Sequence, residues 1–157
     1  LTLALLITSV QTVFAQEPTR DPAASLTCQD LDGSYVISQE TPPVYLGFFG
    51  NEFVSDSIMN PYGTYGSEYD KLSVRNAFGP YGSPYGTYSA NNQFTSTPPG
   101  IFKYGFLIAF LTTNTTIMGG VPLAMIDASC DFISFSPAIS PPPETSTLQL
   151  YIPVLMK

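Results

Sequence analysis

Short apolar segments bounded by turn-forming residues mark four strand candidates in this sequence. They are Ser34–Ser38, 43–51 (PVYLGFFGN), 103–116 (KYGFLIAFLTTNTT) and 121–135 (VPLAMIDASCDFISF). The third contains the unbroken apolar run Phe106 to Leu111, which is typical of a central strand buried on both faces. The pattern predicts one mainly β domain of the small α+β class, with short helical turns and much irregular turn structure.

Residues 53–97 show neither a helical nor a strand pattern, but they repeat with a period of sixteen. Five sets of residues correspond across three copies: Phe53/Tyr69/Tyr85, Ser57/Ser73/Ser89, Ile58/Val74/Ala90, Asn60/Asn76/Asn92 and Tyr62/Phe78/Phe94. A fixed internal period indicates one supersecondary unit that occurs several times in succession. The predicted architecture is therefore a few-stranded sheet packed against 16-residue Tyr/Gly repeats.

One unit is predicted to be a turn of helix followed by two tight turns. Ser55 or Asp56 would cap the helical turn, and Asn60-Pro61-Tyr62-Gly63 has the residues of a type I turn. Glycine is expected to supply unusual backbone angles, with Gly63 and Gly66 as candidates for a positive φ. So short a unit cannot bury its own apolar side chains, so we expect them to pack on neighbouring copies or on the strands. The residues concerned are Phe53, Ile58, Tyr62 and Tyr65.

The first fifteen residues indicate export. Residues 1–15 carry no charge and end in Val-Phe-Ala before Gln-Glu-Pro, which is typical of the apolar core and cleavage site of a secretory signal peptide. Its start methionine and basic region are missing, so we expect an N-terminal truncation; a buried helix is the alternative. A polar lead-in, 16–27, follows. The apolar segment is too short to span a bilayer, and no transmembrane span is expected after its removal.

Two cysteines, Cys28 and Cys130, stand near the two ends of the remaining chain. In an exported protein an even pair predicts a disulfide, whereas in the cytosol two thiols would more often be inert core residues. A metal site is not expected, because the sequence has no histidine and no third sulfur near the pair.

Charge and composition argue against several classes of function. The chain has five Lys and Arg against twelve Asp and Glu, a net charge of −7, and no basic cluster, so nucleic-acid binding is not expected. Without histidine and with paired cysteines, the usual nucleophile–base arrangements lack members, so we predict no enzyme and no cofactor. A carboxylate-dependent hydrolase is a remote alternative. Its acidic pairs would be Asp56 with Asp70, or Asp127 with Asp131, although cap and strand-end roles explain these residues better.

Two short motifs have ordinary explanations. Asp30, Asp32 and Gly33 resemble the start of a calcium loop, but the spacing of the glycine is wrong and a plain turn at Asp32-Gly33 is favoured. Asn114-Thr115-Thr116 matches a glycosylation acceptor, a pattern that is common by chance.

The C-terminal part is predicted to leave the domain. Residues 136–147 form a Pro/Ser/Thr-rich linker, and 148–157 (LQLYIPVLMK) form an apolar tail. The tail is either a docking segment for cell-surface or matrix components or a last strand that folds back onto the sheet. The folded domain would then span 28–135.

The repeated segment resembles tandem DSI-x-NPYG-x-YGS repeats that lie between two YLG-type strands in uncharacterised bacterial secreted proteins. Residues 45–69 (YLGFFGNEFVSDSIMNPYGTYGSEY) contain the first strand and first copy, and 97–114 (TPPGIFKYGFLIAFLTTN) the closing segment. The second copy has Asn76-Ala77-Phe78 in place of Asn-Pro-Tyr, so its turn is less rigidly specified. The resemblance implies an architecture and no catalytic residues.

These observations favour a non-catalytic, secreted or cell-surface structural or interaction module. The alternative is a binding module in which tyrosines of the repeats form a platform for glycans or Pro-rich peptides. The candidate platform residues are Tyr62, Tyr65, Tyr81 and Tyr85. The same rings could instead be core residues, and their exposure distinguishes the two interpretations.

Overall fold

The computed structural model describes residues 26–138. The predicted signal peptide and C-terminal tail, with most of the lead-in and linker, lie outside these residues. The elements in chain order are α1 (Cys28–Leu31), β1 (Tyr35–Ile37), β2 (Tyr45–Phe48), β3 (Gly100–Lys103), β4 (Phe106–Leu111), β5 (Gly120–Val121) and α2 (Leu123–Ser129). A small, mainly β domain with few helices is therefore confirmed.

The five strands form one open, mixed sheet in the order β2-β1-β3-β4-β5. All neighbours are antiparallel except β4 and β5, which are parallel. Val36 of β1 pairs with Ile101 of β3, and Ile101 pairs in turn with Ala109 of β4. The chain leaves the sheet after β2 and returns as β3 on the other side of β1, so the long segment between β2 and β3 must pack against the sheet.

Alternation in β1 separates two apolar clusters. Val36 joins the main core, whereas Tyr35 and Ile37 join a smaller cluster with Phe48. Successive side chains of a strand point to opposite faces, which accounts for this division. The main core collects side chains from the sheet, the turn segment and α2.

The expectation that β4 is buried on both faces was wrong. Phe106 is 72% exposed, and only Ala109 and Leu111 of this strand are fully buried. The core meets the second half of β4, so the unbroken apolar run does not correspond to an enclosed strand.

The strand expected over 121–135 is also wrong. Only Val121 continues β5, after which Pro122 starts helix α2 as its N-cap. Leu123 and Ile126, three positions apart, are the buried residues of α2. That spacing places them on one helix face, and burial of this face against the main core selects a helix over a strand.

The segment between β2 and β3 consists of consecutive turns, and the predicted helical turn does not form. Gly63 N–H donates to the Asn60 carbonyl at 3.1 Å, the hydrogen bond expected of the predicted type I turn. The positive φ predicted for Gly63 and Gly66 is wrong. A Cβ on Gly66 would instead lie 2.1 Å from the Asn60 carbonyl oxygen, so glycine is required here for close backbone approach.

Both ends of the described chain contact the folded body. Leu26 packs against the main core, and Thr27 caps α1 through a capping box with Asp30. At the other end, Ala138 N–H donates to the Gly33 carbonyl at 2.7 Å. Ordered contacts therefore extend slightly beyond the predicted domain limits of 28 and 135. Within residues 26–138 no helix has the length and apolarity needed to cross a membrane.

Candidate interaction surface

Three serine–aliphatic pairs anchor the turn segment in the core. They recur at intervals of sixteen residues, and none of the six residues is more than 1% exposed: Ser57-Ile58, Ser73-Val74 and Ser89-Ala90. Each serine Oγ accepts a hydrogen bond from the backbone N–H two positions later, at 3.0 to 3.1 Å. The polar member of each pair is thus satisfied locally, while the aliphatic member contributes to the core.

The first of these pairs is tied to the sheet and to the next turn. Ile58 N–H donates to the Phe48 carbonyl of β2 at 2.9 Å, and the Ile58 carbonyl accepts from Arg75 Nε at 2.9 Å. The guanidinium of Arg75 also donates to both carboxylate oxygens of Asp127 in α2, each at 2.7 Å. Arg75 therefore joins two successive turns to the helix.

The next two pairs continue the same arrangement. Asn91 Nδ2 donates to the Val74 carbonyl at 3.4 Å, and Thr113 N–H donates to the Ala90 carbonyl at 2.9 Å. The carbonyl of each buried aliphatic residue is thus bonded to the following layer of chain. The turns form a stack with β2 at one end and the segment after β4 at the other.

Six aromatic side chains of this stack lie on the surface. Each is between 81% and 98% exposed: Phe53, Tyr62, Tyr69, Phe78, Tyr85 and Phe94. We refer to these six residues as the exposed ring set. Large aromatic rings normally dominate cores and interfaces, so their consistent exposure within one segment requires an explanation.

The same type of side-chain-to-backbone hydrogen bond forms at every ring of this set. The residue two positions before the ring is Asn or Ser, and its side-chain oxygen accepts a hydrogen bond from the backbone N–H of the aromatic residue at 2.9 to 3.2 Å. The pairs are Asn51–Phe53, Asn60–Tyr62, Ser67–Tyr69, Asn76–Phe78, Ser83–Tyr85 and Asn92–Phe94. The turn is held by the polar residue, so the ring is not needed to form it.

Three of the asparagines also bond backward along the chain. Asn60, Asn76 and Asn92 donate from Nδ2 to the carbonyl six residues earlier, at distances of 3.1, 3.0 and 2.9 Å. Each of these side chains therefore fixes the turns on both of its sides. The rings at Tyr62 and Phe78 project from backbone that is hydrogen-bonded independently of them.

The four predicted platform tyrosines are not brought together on one surface. Tyr62 and Tyr85 belong to the exposed ring set, but Tyr65 is half-buried and packs edge-to-face on Tyr45 with ring centroids 5.1 Å apart. Tyr81 is only 6% exposed, and its hydroxyl donates to Glu40 Oε1. The pattern Asn/Ser-x-Phe/Tyr marks the four exposed rings that the prediction omitted: Phe53, Tyr69, Phe78 and Phe94. The related expectation that Phe53 and Tyr62 would pack on neighbours is wrong.

Burial raises the pKa of Tyr35, and the rise is larger for two other tyrosines, Tyr45 and Tyr81. Burial raises the pKa of Tyr45 strongly, and the negative charge of Asp56 adds to this rise. Burial also raises the pKa of Tyr81, with the hydrogen bond to Glu40 as the second cause. Both side chains therefore remain protonated in the folded protein over the physiological pH range.

A solvent-open groove lies between two members of the exposed ring set, at the third layer of the stack. It has a volume of about 540 Å³, and its lining includes Tyr85, Asn91, Asn92, Gln93, Phe94 and Thr113. No Asp, Glu, Lys or Arg lines the groove.

The remaining predicted sites have structural roles. The Sγ atoms of Cys28 and Cys130 lie at disulfide distance, 1.93 Å apart. This pair links α1 to the residue that ends α2. Asp127 is paired with Arg75, and Asp70 Oδ1 accepts from Leu72 N–H at 2.9 Å. Within residues 26–138 no cluster of three or more His, Cys, Asp or Glu could hold a metal ion.

The asparagine of the glycosylation motif, Asn114, is buried. Asn114 is 8% exposed, and its Nδ2 donates to the Thr95 carbonyl at 2.8 Å. The acceptor nitrogen is thus inaccessible in the folded protein.

No protein-family model, curated protein or solved structure matches this chain.

Proposed function

We propose that this protein is a non-catalytic, secreted or cell-surface interaction module that binds its partner through the exposed ring set. The observation that carries the proposal is the exposure of six aromatic side chains, each at least 81% open to solvent, within one short segment. Repeated exposure of large apolar side chains is typical of interaction sites rather than of inert surface.

The rings contribute little to the fold that displays them. Each turn is closed by an Asn or Ser side chain, and the core positions of the stack are filled by Ile58, Val74 and Ala90. A ring that is almost fully exposed gains no hydrophobic stabilisation from folding. Its role must therefore be sought outside the folding of the chain.

The stacking of the turns supports a regular arrangement of these rings. Arg75 bonds to Ile58 one layer earlier, and Asn91 bonds in the same way to Val74. We infer that the 16-residue segments are tandem structural repeats, so that equivalent positions fall into two rows. The first row is Phe53, Tyr69 and Tyr85, and the second row is Tyr62, Phe78 and Phe94. Several identical contacts in a row favour an extended or repetitive partner through multivalency.

An extracellular location is part of the proposal. The cysteine pair at disulfide distance fits an oxidising compartment, and 1–15 have the pattern of a signal peptide. The apolar tail, 148–157, remains a proposed second attachment element for cell-surface or matrix components. Asp127, one of the four acidic residues considered for a hydrolase, is paired with Arg75.

Retention on the cell surface tests the proposal. A variant with serine at all six positions of the exposed ring set is compared with the wild type for the fraction that sediments with isolated cell envelopes. The control variant carries Phe106→Ser and Met118→Ser, which remove exposed apolar side chains outside the turn stack. We expect the six-fold variant to lose most of its retention while the control keeps it. Equal retention of all three proteins would contradict the proposal.

A further inference from the structure

We propose that the groove between Tyr85 and Phe94 is a binding site for an uncharged carbohydrate chain. This inference rests on the proposed function and adds the chemistry of the partner. The groove joins one residue of each aromatic row, and Thr113 from the segment after β4 completes it. It is therefore the place where the stack of turns ends against the sheet.

The aromatic walls suit the faces of sugar rings. Tyr85 and Phe94 are 89% and 83% exposed, so the ring faces remain open to a ligand. The face of an aromatic ring is electron-rich and apolar, and it attracts the slightly positive C–H groups that one face of a pyranose presents. Two such walls on one groove would hold a chain of sugar rings rather than a single polar group.

Asn91 supplies a hydrogen-bond acceptor with a fixed orientation. Its Nδ2 donates to the Gly82 carbonyl at 2.9 Å and to the Val74 carbonyl at 3.4 Å, which uses both amide hydrogens. Its Oδ1 accepts no hydrogen bond from the residues that the structure describes. A ligand that covers Asn91 must therefore donate a hydrogen bond to this oxygen. Without such a donor, the acceptor is buried unsatisfied and the binding free energy becomes less favourable.

That requirement separates carbohydrate from a Pro-rich peptide. Proline has no backbone N–H, so a polyproline segment offers carbonyl acceptors and almost no donors. A sugar hydroxyl donates and accepts, and it can satisfy both Asn91 Oδ1 and the exposed amide of Gln93. The hydroxyl of Thr113 adds a further group of the same kind at the edge of the groove.

The electrostatics point to an uncharged sugar. The lining contains no Lys or Arg that could pair with a carboxylate, sulfate or phosphate of an acidic polysaccharide. The chain as a whole carries a net charge of −7, which repels polyanions. Neutral hexose or N-acetylhexosamine chains remain as the matching class.

Calorimetric titration of the full chain tests the inference. The probes are a neutral gluco-oligosaccharide, an N-acetylglucosamine oligomer, an alginate oligomer as the acidic sugar, and a decaproline peptide. Tyr85→Ser and Phe94→Ser are the groove variants. Phe106→Ser is the control, because it removes an exposed aromatic ring that lies on β4, outside the exposed ring set. Circular dichroism verifies that all variants keep the wild-type fold.

We expect at least one neutral oligomer to bind, with affinity reduced roughly tenfold in Tyr85→Ser and Phe94→Ser and unchanged in Phe106→Ser. Absence of binding by both neutral oligomers, or binding that the groove variants do not weaken, would overturn the carbohydrate site. Decaproline or alginate binding in its place would assign the groove to that ligand and overturn the inference as well. If envelope retention still depends on the exposed ring set in either case, the interaction module stands and only the carbohydrate assignment fails.

Discussion

Arg75 and Asp127 form a bidentate ion pair, with both N–O distances at 2.7 Å, between the turn stack and helix α2. The same guanidinium donates through Nε to the Ile58 carbonyl. A planar fork with several donors can serve both partners at once, which a lysine ammonium cannot do with the same geometry. This pair therefore connects the surface that carries the exposed rings to the core.

Replacement of Arg75 should destabilise the protein more than replacement of its partner. Arg75→Met keeps an apolar stem but leaves the Ile58 carbonyl and Asp127 without their donor, so we expect a loss of about 2 kcal/mol in the free energy of unfolding. Asp127→Asn removes the charge and leaves the bond to Ile58, with an expected loss of about 1 kcal/mol. Urea denaturation measures both. Equal losses for the two variants would contradict the bridging role.

The turn glycines are expected to tolerate no side chain where two backbone segments meet. A Cβ on Gly82 would lie 2.4 Å from the Asn76 carbonyl oxygen, and Gly82→Ala should lose about 1–3 kcal/mol. Gly79→Ala is the control, because its nearest neighbours are side-chain atoms of Asn76 at 3.1 Å or more. We expect a smaller loss there. A Gly82→Ala protein with wild-type stability would show that the turns are not tightly stacked.

Loss of the bond between Cys28 and Cys130 should lower the stability of the domain. The pair closes a loop with a sequence separation of 102, so Cys28→Ser/Cys130→Ser is expected to lose about 4–5 kcal/mol. Mass spectrometry before and after reduction establishes the bond, and thermal melts measure its effect. Two free thiols in protein recovered from its native compartment, or an unchanged melt after reduction, would oppose this expectation.

Alkaline pH should destabilise the fold mainly through Tyr45 and Tyr81, with a further contribution from Tyr35, whose pKa is also raised by burial. Their pKa values are raised in the folded state, so the associated stability is complete below the unfolded tyrosine pKa near 10 and declines as the pH rises above it. Each tyrosine contributes a slope of up to about 1.4 kcal/mol per pH unit. Urea denaturation from pH 8 to 11 should show this decline, and Tyr45→Phe/Tyr81→Phe should flatten it. Identical slopes in both proteins would refute the assignment.

The strands could be predicted where a short run of aromatic and aliphatic residues lies next to turn-forming residues. Tyr35–Ile37 and Tyr45–Phe48 fall within segments predicted in this way. Helix α2 could not be separated from a strand by its apolar run alone. The helix is favoured because Pro122 serves as its N-cap and because one helix face is buried.

Ring exposure was the least predictable feature of the surface. Aromatic periodicity usually indicates core, and Tyr81 follows that rule while Tyr85, four positions later, does not. The difference lies in the residue two positions earlier. Ser83 accepts from Tyr85 N–H and closes a turn that directs the ring outward, whereas Tyr81 lies inward and bonds to Glu40. The local Asn/Ser-x-aromatic pattern therefore predicts exposure better than the sixteen-residue period does.

The most direct measurement of the central claim combines stability and binding in one protein. The variant with serine at all six positions of the exposed ring set is assayed by urea denaturation and by sedimentation with isolated cell envelopes, beside the wild type. We predict a free energy of unfolding within about 1 kcal/mol of the wild type, since nearly fully exposed rings stabilise little, together with loss of most retention. A variant that unfolds readily, or one that is retained as well as the wild type, would contradict the account that these rings serve binding and not the fold.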